Sequence, residues 1–542
     1  MVSVTHKTRV LAAMTIPVTA ALVLAGCASD SGDNGGDSEG SSIIVGTTDK
    51  VTFLDPAGSY DNGSFAVMNQ VFPFLLNSPQ GTADVEPDIA ESSEFNEDGD
   101  YVVTLQSGLK FANGNELTSS DVKFSFDRVV AINAENGPWA LLGNLDSVET
   151  PDDTTVIFHL KNGNDQTFPQ VLSSPAGPIV DEETFSADEV TSDDEIVKGE
   201  GFAGPYTITN YKLNELVTFA PNPEYKGVLG TPENDDVTLK YYADSSNLKL
   251  DVQEGNIDVA YRSLSATDIA DLRKQDSVKI VDGPGGELRY IVFNFDTMPY
   301  GAKTGEADPA KALAVRQAIA DVVDRAEIAT QVYKDTYTPV YSFVPQGLTG
   351  ATEVLKELYG DGEGGPDVDK AKADLEAAGV TVPVELNLQY NPDHYGESSA
   401  DEYALVKDQL DSSGLFKVNL GSTEWTQYSK DRTADVYPLY QLGWFPDYSD
   451  ADNYLTPFFS TDNFLLNHYS NAEVNAEISE QQTEVDPAKR QALIEDIQAK
   501  VAADLSTLPL LQGAQVAVVG SDVSGAKLDG SFKFRFGSLT KG

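Results

Sequence analysis

One cysteine, Cys27, stands in a chain of 542 residues. No disulfide can close within the chain, and no thiolate-held zinc or iron–sulfur site can form. The fold must therefore rest on packing and hydrogen bonds. The material for that is present: 40% of the residues are hydrophobic and 9% aromatic, enough to build large cores. At a prior of ~150 residues per domain, the length suggests three or four domains' worth of chain. The four histidines, His6, His159, His394 and His468, include no pair at the i, i+4 spacing of helical metal ligands. No metal site and no cofactor are expected.

Charge removes further classes. Thirty-six basic residues stand against 86 acidic ones, a net charge of −50. Such a surface repels phosphate backbones, which excludes direct nucleic-acid binding, and it disfavours docking on anionic lipid through a basic patch. There is no P-loop and no cysteine outside position 27 to act as a nucleophile. Without usable histidines, acid–base chemistry would fall to carboxylates and tyrosines. No catalytic residue is assigned and no enzyme is expected.

The N-terminal segment reads as an export signal. Lys7 and Arg9 precede an apolar stretch from Val10 to Leu24, too short and too loosely apolar for a stop-transfer span. It ends in Leu24-Ala25-Gly26-Cys27, which resembles the bacterial lipobox. The resemblance implies cleavage before Cys27 and diacylation of that cysteine, and two acyl chains give stable anchoring where one is marginal. Ala28 to Ser42 is Ser, Gly, Asp, Asn and Glu with almost nothing apolar, a flexible tether.

Beyond the tether, strands are expected at Ile43–Thr48, Tyr101–Leu105, Thr155–Leu160, Tyr206–Tyr211, Leu216–Ala220 and Val237–Tyr242. A short helix or turn is expected at Asp121–Val130, capped by Ser120 or Asp121, and a loop-rich acidic stretch at 181–200. Helical patterns follow at Pro309–Val323, Asp369–Ala378, Ser399–Leu410 and Pro487–Leu505, with apolar runs at Val384–Leu388 and Val436–Leu442 between them. The alternation predicts mixed α/β sheets, without a tandem repeat.

Several ordered segments resemble one family, the large extracytoplasmic solute-binding proteins of ABC importers for peptides and nickel. The most specific match is Thr104-Leu105-Gln106-Ser107-Gly108-Leu109-Lys110-Phe111-Ala112-Asn113-Gly114, followed by Leu117-Thr118 and Asp121-Val122-Lys123-Phe124-Ser125-Phe126-Asp127-Arg128. Others are Gly204-Pro205-Tyr206, Asn222-Pro223-Glu224-Tyr225, Gln253 to Asp258, and Gly443-Trp444-Phe445-Pro446-Asp447-Tyr448. The resemblance covers about residues 43–540. It implies an α/β, two-lobed periplasmic-binding-protein-like fold (type II, cluster C), with an extra small domain and two hinge strands.

The expected layout is a signal peptide over 1–26, an acylated tether over 27–42, and lobe I over 43–77, 201–291 and 511–542. The extra domain takes 78–200 and the other lobe 292–510. The crossings are expected near Tyr290–Phe295 and Leu510–Gly513. The family implies a monomeric lipid-anchored carrier on the outer face of the cell membrane. It would capture di- or oligopeptides by lobe closure and pass them to permease and ATPase subunits. A nickel-chelate binder, an oligosaccharide binder and a peptide-sensing lipoprotein without transport remain open alternatives.

The resemblance also implies site residues. Asp447 falls where peptide-binding members place an aspartate against the ligand's α-ammonium, within the Gly443-Trp444-x-x-Asp447 segment. Gly443 and Phe445 would offer backbone groups to an extended peptide. Trp425 falls where a tryptophan lines a side-chain pocket, and Arg432 where an arginine reaches a ligand carboxylate, for which its planar fork is suited. Trp425 and Arg432 are also compatible with core packing and a surface ion pair. Gln441 stands where a second cation is often found, which leaves the hold on a peptide C-terminus open. Trp139, Tyr60 and Asp61 fall at contact positions of the opposing side, or are loop and packing residues.

Overall fold

The computed structural model describes residues 42–396, 398–461 and 463–542. Cys27 and the leader lie outside the described residues. Ser42, expected at the end of the tether, already opens a strand, Ser42–Thr47, and its hydroxyl donates to Asp236 at 2.5 Å. Among the described residues, no helix is long and apolar enough to cross a membrane.

The fold is α/β and two-lobed, and each lobe is built on one sheet. The first sheet has seven strands in the order Val278–Gly283, Gln515–Gly520, Val259–Tyr261, Ser42–Thr47, Asp236–Tyr241, Leu216–Pro221, Tyr206–Lys212. Ser42–Thr47 runs parallel to both neighbours and the other pairs are antiparallel. The alternating apolar residues of these strands, among them Val217, Phe219, Val237 and Leu239, are almost wholly buried in one core, as period-two patterning requires.

The second sheet has six strands in the order Tyr337–Pro339, Thr507–Gly513, Leu288–Phe293, Leu439–Trp444, Val384–Tyr390, Phe416–Ser422. All six residues of Leu288–Phe293 are buried, the signature of a central strand covered on both faces. The helices expected from the sequence pack around it with small changes at their ends, at Pro309–Val322, Val368–Ala377, Ser399–Ser412 and Pro487–Asp504.

A four-stranded sheet, Ala90–Phe95, Tyr101–Leu105, Thr155–Leu160 and Leu145–Glu149, carries its own core of Phe126, Phe158 and Phe168. Its helix, Ser119–Ile132, is capped by Thr118, two residues before Ser120 and three before Asp121, the expected caps. The cause is a capping box: Asp121 reaches back to the Thr118 amide at 2.8 Å, so it occupies the third helical position and not the cap. Burial pushes the Asp121 carboxyl up to about 6. The stretch at 181–200 also holds a helix, Asp193–Gly199, started by the box Ser192–Glu195.

Arg128, at the end of the most specific motif, has a structural task. Its Nη1 and Nη2 donate to Asp55 Oδ1 and Oδ2 at 2.7 and 2.8 Å, and both side chains are buried. Asp55 also accepts from the Thr191 and Ala57 amides at 2.7 and 2.9 Å. One bidentate pair thus ties the helix of the four-stranded domain to the Leu54-Asp55-Pro56 loop.

The chain passes from the first sheet to the second over Pro284–Glu287 and returns at Ala514, between Gly513 and Gln515. The first crossing precedes the expected Tyr290–Phe295. That segment begins inside the buried strand Leu288–Phe293, where pairing on both edges leaves no freedom to bend. The two crossings touch. A Cβ on Gly285 would lie 1.7 Å from the Gly513 carbonyl oxygen, and the Gly513 amide donates to the Glu287 carbonyl at 2.9 Å. Glycine is required by this approach.

Replacing Arg128 by Met should cost about 3–5 kcal/mol of unfolding free energy, because Asp55 is left as an uncompensated buried charge. Denaturant unfolding of the two proteins measures it, and a loss below about 1 kcal/mol, the scale of a surface pair, would show the pair to be dispensable.

Candidate ligand-binding site

A cavity of about 640 Å³ opens beside the two crossings, within the size range of small-molecule sites. Tyr60 and Asp61 from the first lobe, Ser173 from the four-stranded domain, and Tyr395, Phe445 and Asp447 from the second lobe all line it.

Asp447 sits on the loop after strand Leu439–Trp444. Asn453, on the helix Asp452–Phe459, holds it twice: Asn453 Nδ2 donates to Asp447 Oδ2 at 3.0 Å, and the Asp447 amide donates to Asn453 Oδ1 at 2.9 Å. Trp444 Nε1 donates to the same Asn453 Oδ1 at 2.9 Å. The Trp-x-x-Asp spacing is thus read through one asparagine. Oδ1 of Asp447 is left facing the cleft, where it accepts from the Tyr60 hydroxyl of the opposing lobe. Asp447 is half-buried. Burial pushes its carboxyl up to about 6, against the lowering effect of the Asn453 donor. No Lys, Arg or His lies within 4 Å of it among the described residues.

Of the residues singled out in the sequence, Tyr60, Asp61, Phe445 and Asp447 come together on the cavity wall. Asp61 is engaged there as a helix cap. It accepts from the Ser64 amide at 2.8 Å, from the Ser64 and Ser59 hydroxyls at 2.9 and 3.1 Å, and from Thr52, so it shapes the loop that carries Tyr60. Phe445 faces the cavity and stacks toward Tyr395 at 6.5 Å.

The others do not reach the wall. Gly443 is buried in the strand, paired with Arg289, and its carbonyl accepts from the Tyr395 hydroxyl at 3.3 Å. One edge of its backbone is thus taken up by the sheet, and the residue is not on the cavity wall. Trp444 packs edge-on to Phe458 at 5.0 Å. Trp425 opens a helix, stacks on His394 at 3.7 Å and meets edge-on, at 5.7 Å, the ring of Tyr395, which does line the cavity. Arg432 is buried against the Phe464 ring at 4.6 Å and donates to the Phe464 carbonyl at 3.2 Å. No carboxylate lies within 4 Å of it among the described residues. Trp139 is exposed on the short helical turn Pro138–Leu142 and does not line the cavity. Gln441 is buried, accepting from the Asn391 amide at 2.8 Å and donating to Ser399 at 3.1 Å.

Four charged residues on or behind the wall, Glu287, Arg289, Arg262 and Lys533, escaped the sequence reading. Glu287, at the first crossing, lines the cavity and accepts from Arg289 Nη1 at 3.1 Å and from the Tyr337 hydroxyl at 2.5 Å. Arg289 in turn meets buried Glu402 at 2.8 Å, which also accepts from Tyr333 at 2.9 Å. Arg262 lines the cavity with Asp49 at 3.8 Å, and Lys533 lines it from the segment after the second crossing. The available signal was Arg289 itself, a charge inside an otherwise apolar strand.

Further contacts join the second lobe to the four-stranded domain: the Gln166 amide donates to the Gln482 carbonyl at 2.8 Å, and Tyr448 packs against the four-stranded domain's core.

The model of the bacterial extracellular solute-binding proteins, family 5, matches residues 84–465. The chain is similar to the probable D,D-dipeptide-binding periplasmic protein DdpA of Escherichia coli, with 22% identity covering 89% of this chain and 90% of that one. It is similar to heme-binding protein A of Haemophilus influenzae, with 25% identity covering 93% and 94%. The fold is shared with the ABC transporter substrate-binding protein CtaP of Listeria monocytogenes, at TM-score 0.76 and 24% identity, covering 93% of this chain and 99% of that one.

Replacing Asn453 by Leu removes the donor that favours the ionised carboxylate. The Asp447 carboxyl should then titrate above about 6. Carboxyl ¹³C titration of Asp-labelled protein, assigned with Asp447→Asn, reads the shift, and an unchanged or lowered value would refute the positioning by Asn453.

Proposed function

We propose that this chain, which belongs to the bacterial extracellular solute-binding proteins of family 5, captures short peptides in the cavity between its lobes and delivers them to a membrane permease. The observation that carries the reading is Asp447: a half-buried carboxylate, oriented by Asn453, without a basic partner, open to the cleft. A free α-ammonium is the complement of such a group. At ~4 Å and an effective dielectric near 20 the pair gains about 4 kcal/mol of gross Coulomb energy. Desolvation offsets much of this, so the pair selects the ligand more than it tightens it. The dipeptide-binding relative supports the same class.

In this reading the lobes close on the ligand, since the cavity wall is drawn from both. The aromatic faces of Tyr395 and Phe445 accept varied side chains without hydrogen-bond demands. The chain works as a carrier without chemistry of its own. Cys27 would carry the lipid anchor on the outer face of the membrane, with the tether holding the lobes near the permease.

Calorimetric titration of the mature domain with tri- to pentapeptides tests the capture. Binding by the free peptides and not by the same peptides N-acetylated is expected. Asp447→Asn should weaken binding by about 2 kcal/mol or more, ~30-fold. The sign of the pH effect follows from the raised carboxyl. The ammonium meets only the ionised form, so affinity should fall about tenfold per pH unit below about 6. Equal binding of acetylated peptides would overturn the assignment of Asp447, and absorption by added haem with no peptide binding would replace the ligand class.

For the anchor, Cys27→Ser should release the protein from cell membranes into the medium and abolish labelling by a fatty-acid analogue. Retention of both would remove the lipid from the reading.

A further inference from the structure

Five charged side chains among the described residues line the cavity: Asp61, Arg262, Glu287, Asp447 and Lys533. Three of them have charged or capping partners inside the protein. Asp61 caps a helix, Glu287 meets Arg289, and Arg262 faces Asp49. Two are left over, one acid and one base.

The base is Lys533. It is 9% exposed and lies on the segment that follows the return crossing. Its Nζ donates to Asn77 Oδ1 at 3.1 Å and Ser173 Oγ at 2.5 Å and sits 5.4 Å from the centre of the Phe74 ring. These partners are all neutral, and an ammonium has three protons to donate. No carboxylate lies within 4 Å of it among the described residues. The acids further out are committed elsewhere. Asp529 pairs with Arg535 at 3.7 Å and accepts from the Ser531 and Gly81 amides at 2.9 and 2.7 Å. Asp88 accepts from Tyr225 and from the Val228 and Phe74 amides. A buried cation in this position is costly unless something anionic reaches it. In a chain of net charge −50, a surplus cation facing a cavity is not explained by composition.

The two leftover charges flank the crossing. A Cβ on Gly286 would lie 2.4 Å from Pro446 Cγ and 2.7 Å from Phe532 Cε2. The neighbours of Asp447 and Lys533 in the chain therefore converge on one hinge residue, from the second lobe and from the segment beyond the first lobe's last crossing.

We propose that Lys533 is the anion-binding residue of this site, receiving a carboxylate of the captured peptide while Asp447 receives its ammonium. The inference rests on the peptide-capture reading and deepens it: the ligand is zwitterionic, and its two ends join the two sides of the hinge. Arrival of the carboxylate also relieves Lys533, whose ammonium is disfavoured by burial and then by the nearby Arg535, with Asp88 and Asp529 acting the other way.

The carboxylate can come from the peptide C-terminus or from an acidic side chain, and calorimetry separates the two. The probes are Ala-Ala-Ala as free acid, the same peptide as C-terminal amide, and Ala-Glu-Ala as C-terminal amide. With the natural protein, the free acid should bind about tenfold to a hundredfold tighter than the amide, the scale of a hydrogen bond to a charged group. If the side chain supplies the anion, the Glu-containing amide should show that gain instead. Lys533→Met should erase the preference, and Lys533→Arg should retain it. Equal affinities of all three peptides for the natural protein would overturn the role of Lys533 while leaving peptide capture standing, and this comparison needs no variant to fold. Binding of none of them would overturn both.

Discussion

The contact between the two crossings constrains everything around the site. Gly285 passes so close to the Gly513 carbonyl that any side chain would collide with it, and the Gly513 amide bonds to the Glu287 carbonyl. The two strands linking the lobes are therefore held side by side. The cavity opens beside that junction, and its charged groups are grouped around it: Glu287 on one crossing, Asp447 against Gly286 through Pro446, and Lys533 through Phe532. A lobe movement that bends the two segments would have to bend them together. Groups next to the junction would move least, while those at the lobe edges move most.

Around this junction the protein treats buried charge in two ways. Arg128 with Asp55, and Arg289 with Glu402 and Glu287, are closed networks in which each ion has an opposite partner. Such pairs fix geometry more than they add stability: the first locks the four-stranded domain to the first lobe, and the second stiffens the strand that enters the second lobe. Asp447 and Lys533 are treated differently. Each is supported by neutral hydrogen-bonding groups, Asn453 in one case and Asn77 with Ser173 in the other. Neutral partners orient an ion without cancelling its charge, which suits the charged ligand proposed for these two groups.

The sequence carries the framework more clearly than the site. Alternating strands, Asp-Pro helix starts such as Asp308-Pro309 and the motif at 104–128 are local patterns with local causes, and their elements lie within a few residues of expectation. Asp447 was legible because it travels with Trp444 in one short segment, and the asparagine joining them is six residues on. Trp425 and Arg432 have the right types at suggestive spacing, yet packing against Tyr395 and Phe464 leaves neither on the cavity wall. Spacing along a helix does not say which face a pocket takes. Lys533 was not legible, since its partners lie far along the chain: Lys533 and Ser173 are 360 positions apart. A weak trace existed in the alternation of Phe532, Phe534 and Phe536 with Lys533 and Arg535, two basic residues set among aromatics in a strongly acidic chain.

The Tyr60 hydroxyl on Asp447 bears on selectivity. A phenol is a neutral donor, so it satisfies one lone pair of the carboxylate without cancelling its charge. An ammonium makes the stronger, charge-assisted bond to the same oxygen. A ligand with only hydroxyl groups at that end would exchange one neutral donor for another and gain little. Under the proposed peptide capture, the tyrosine would set a threshold that a cation passes and a sugar hydroxyl does not. It also spans the cleft, so the same contact that screens the ligand joins the lobes. In that proposal specificity and lobe approach would both depend on one carboxylate, whose orientation is set by the asparagine behind it.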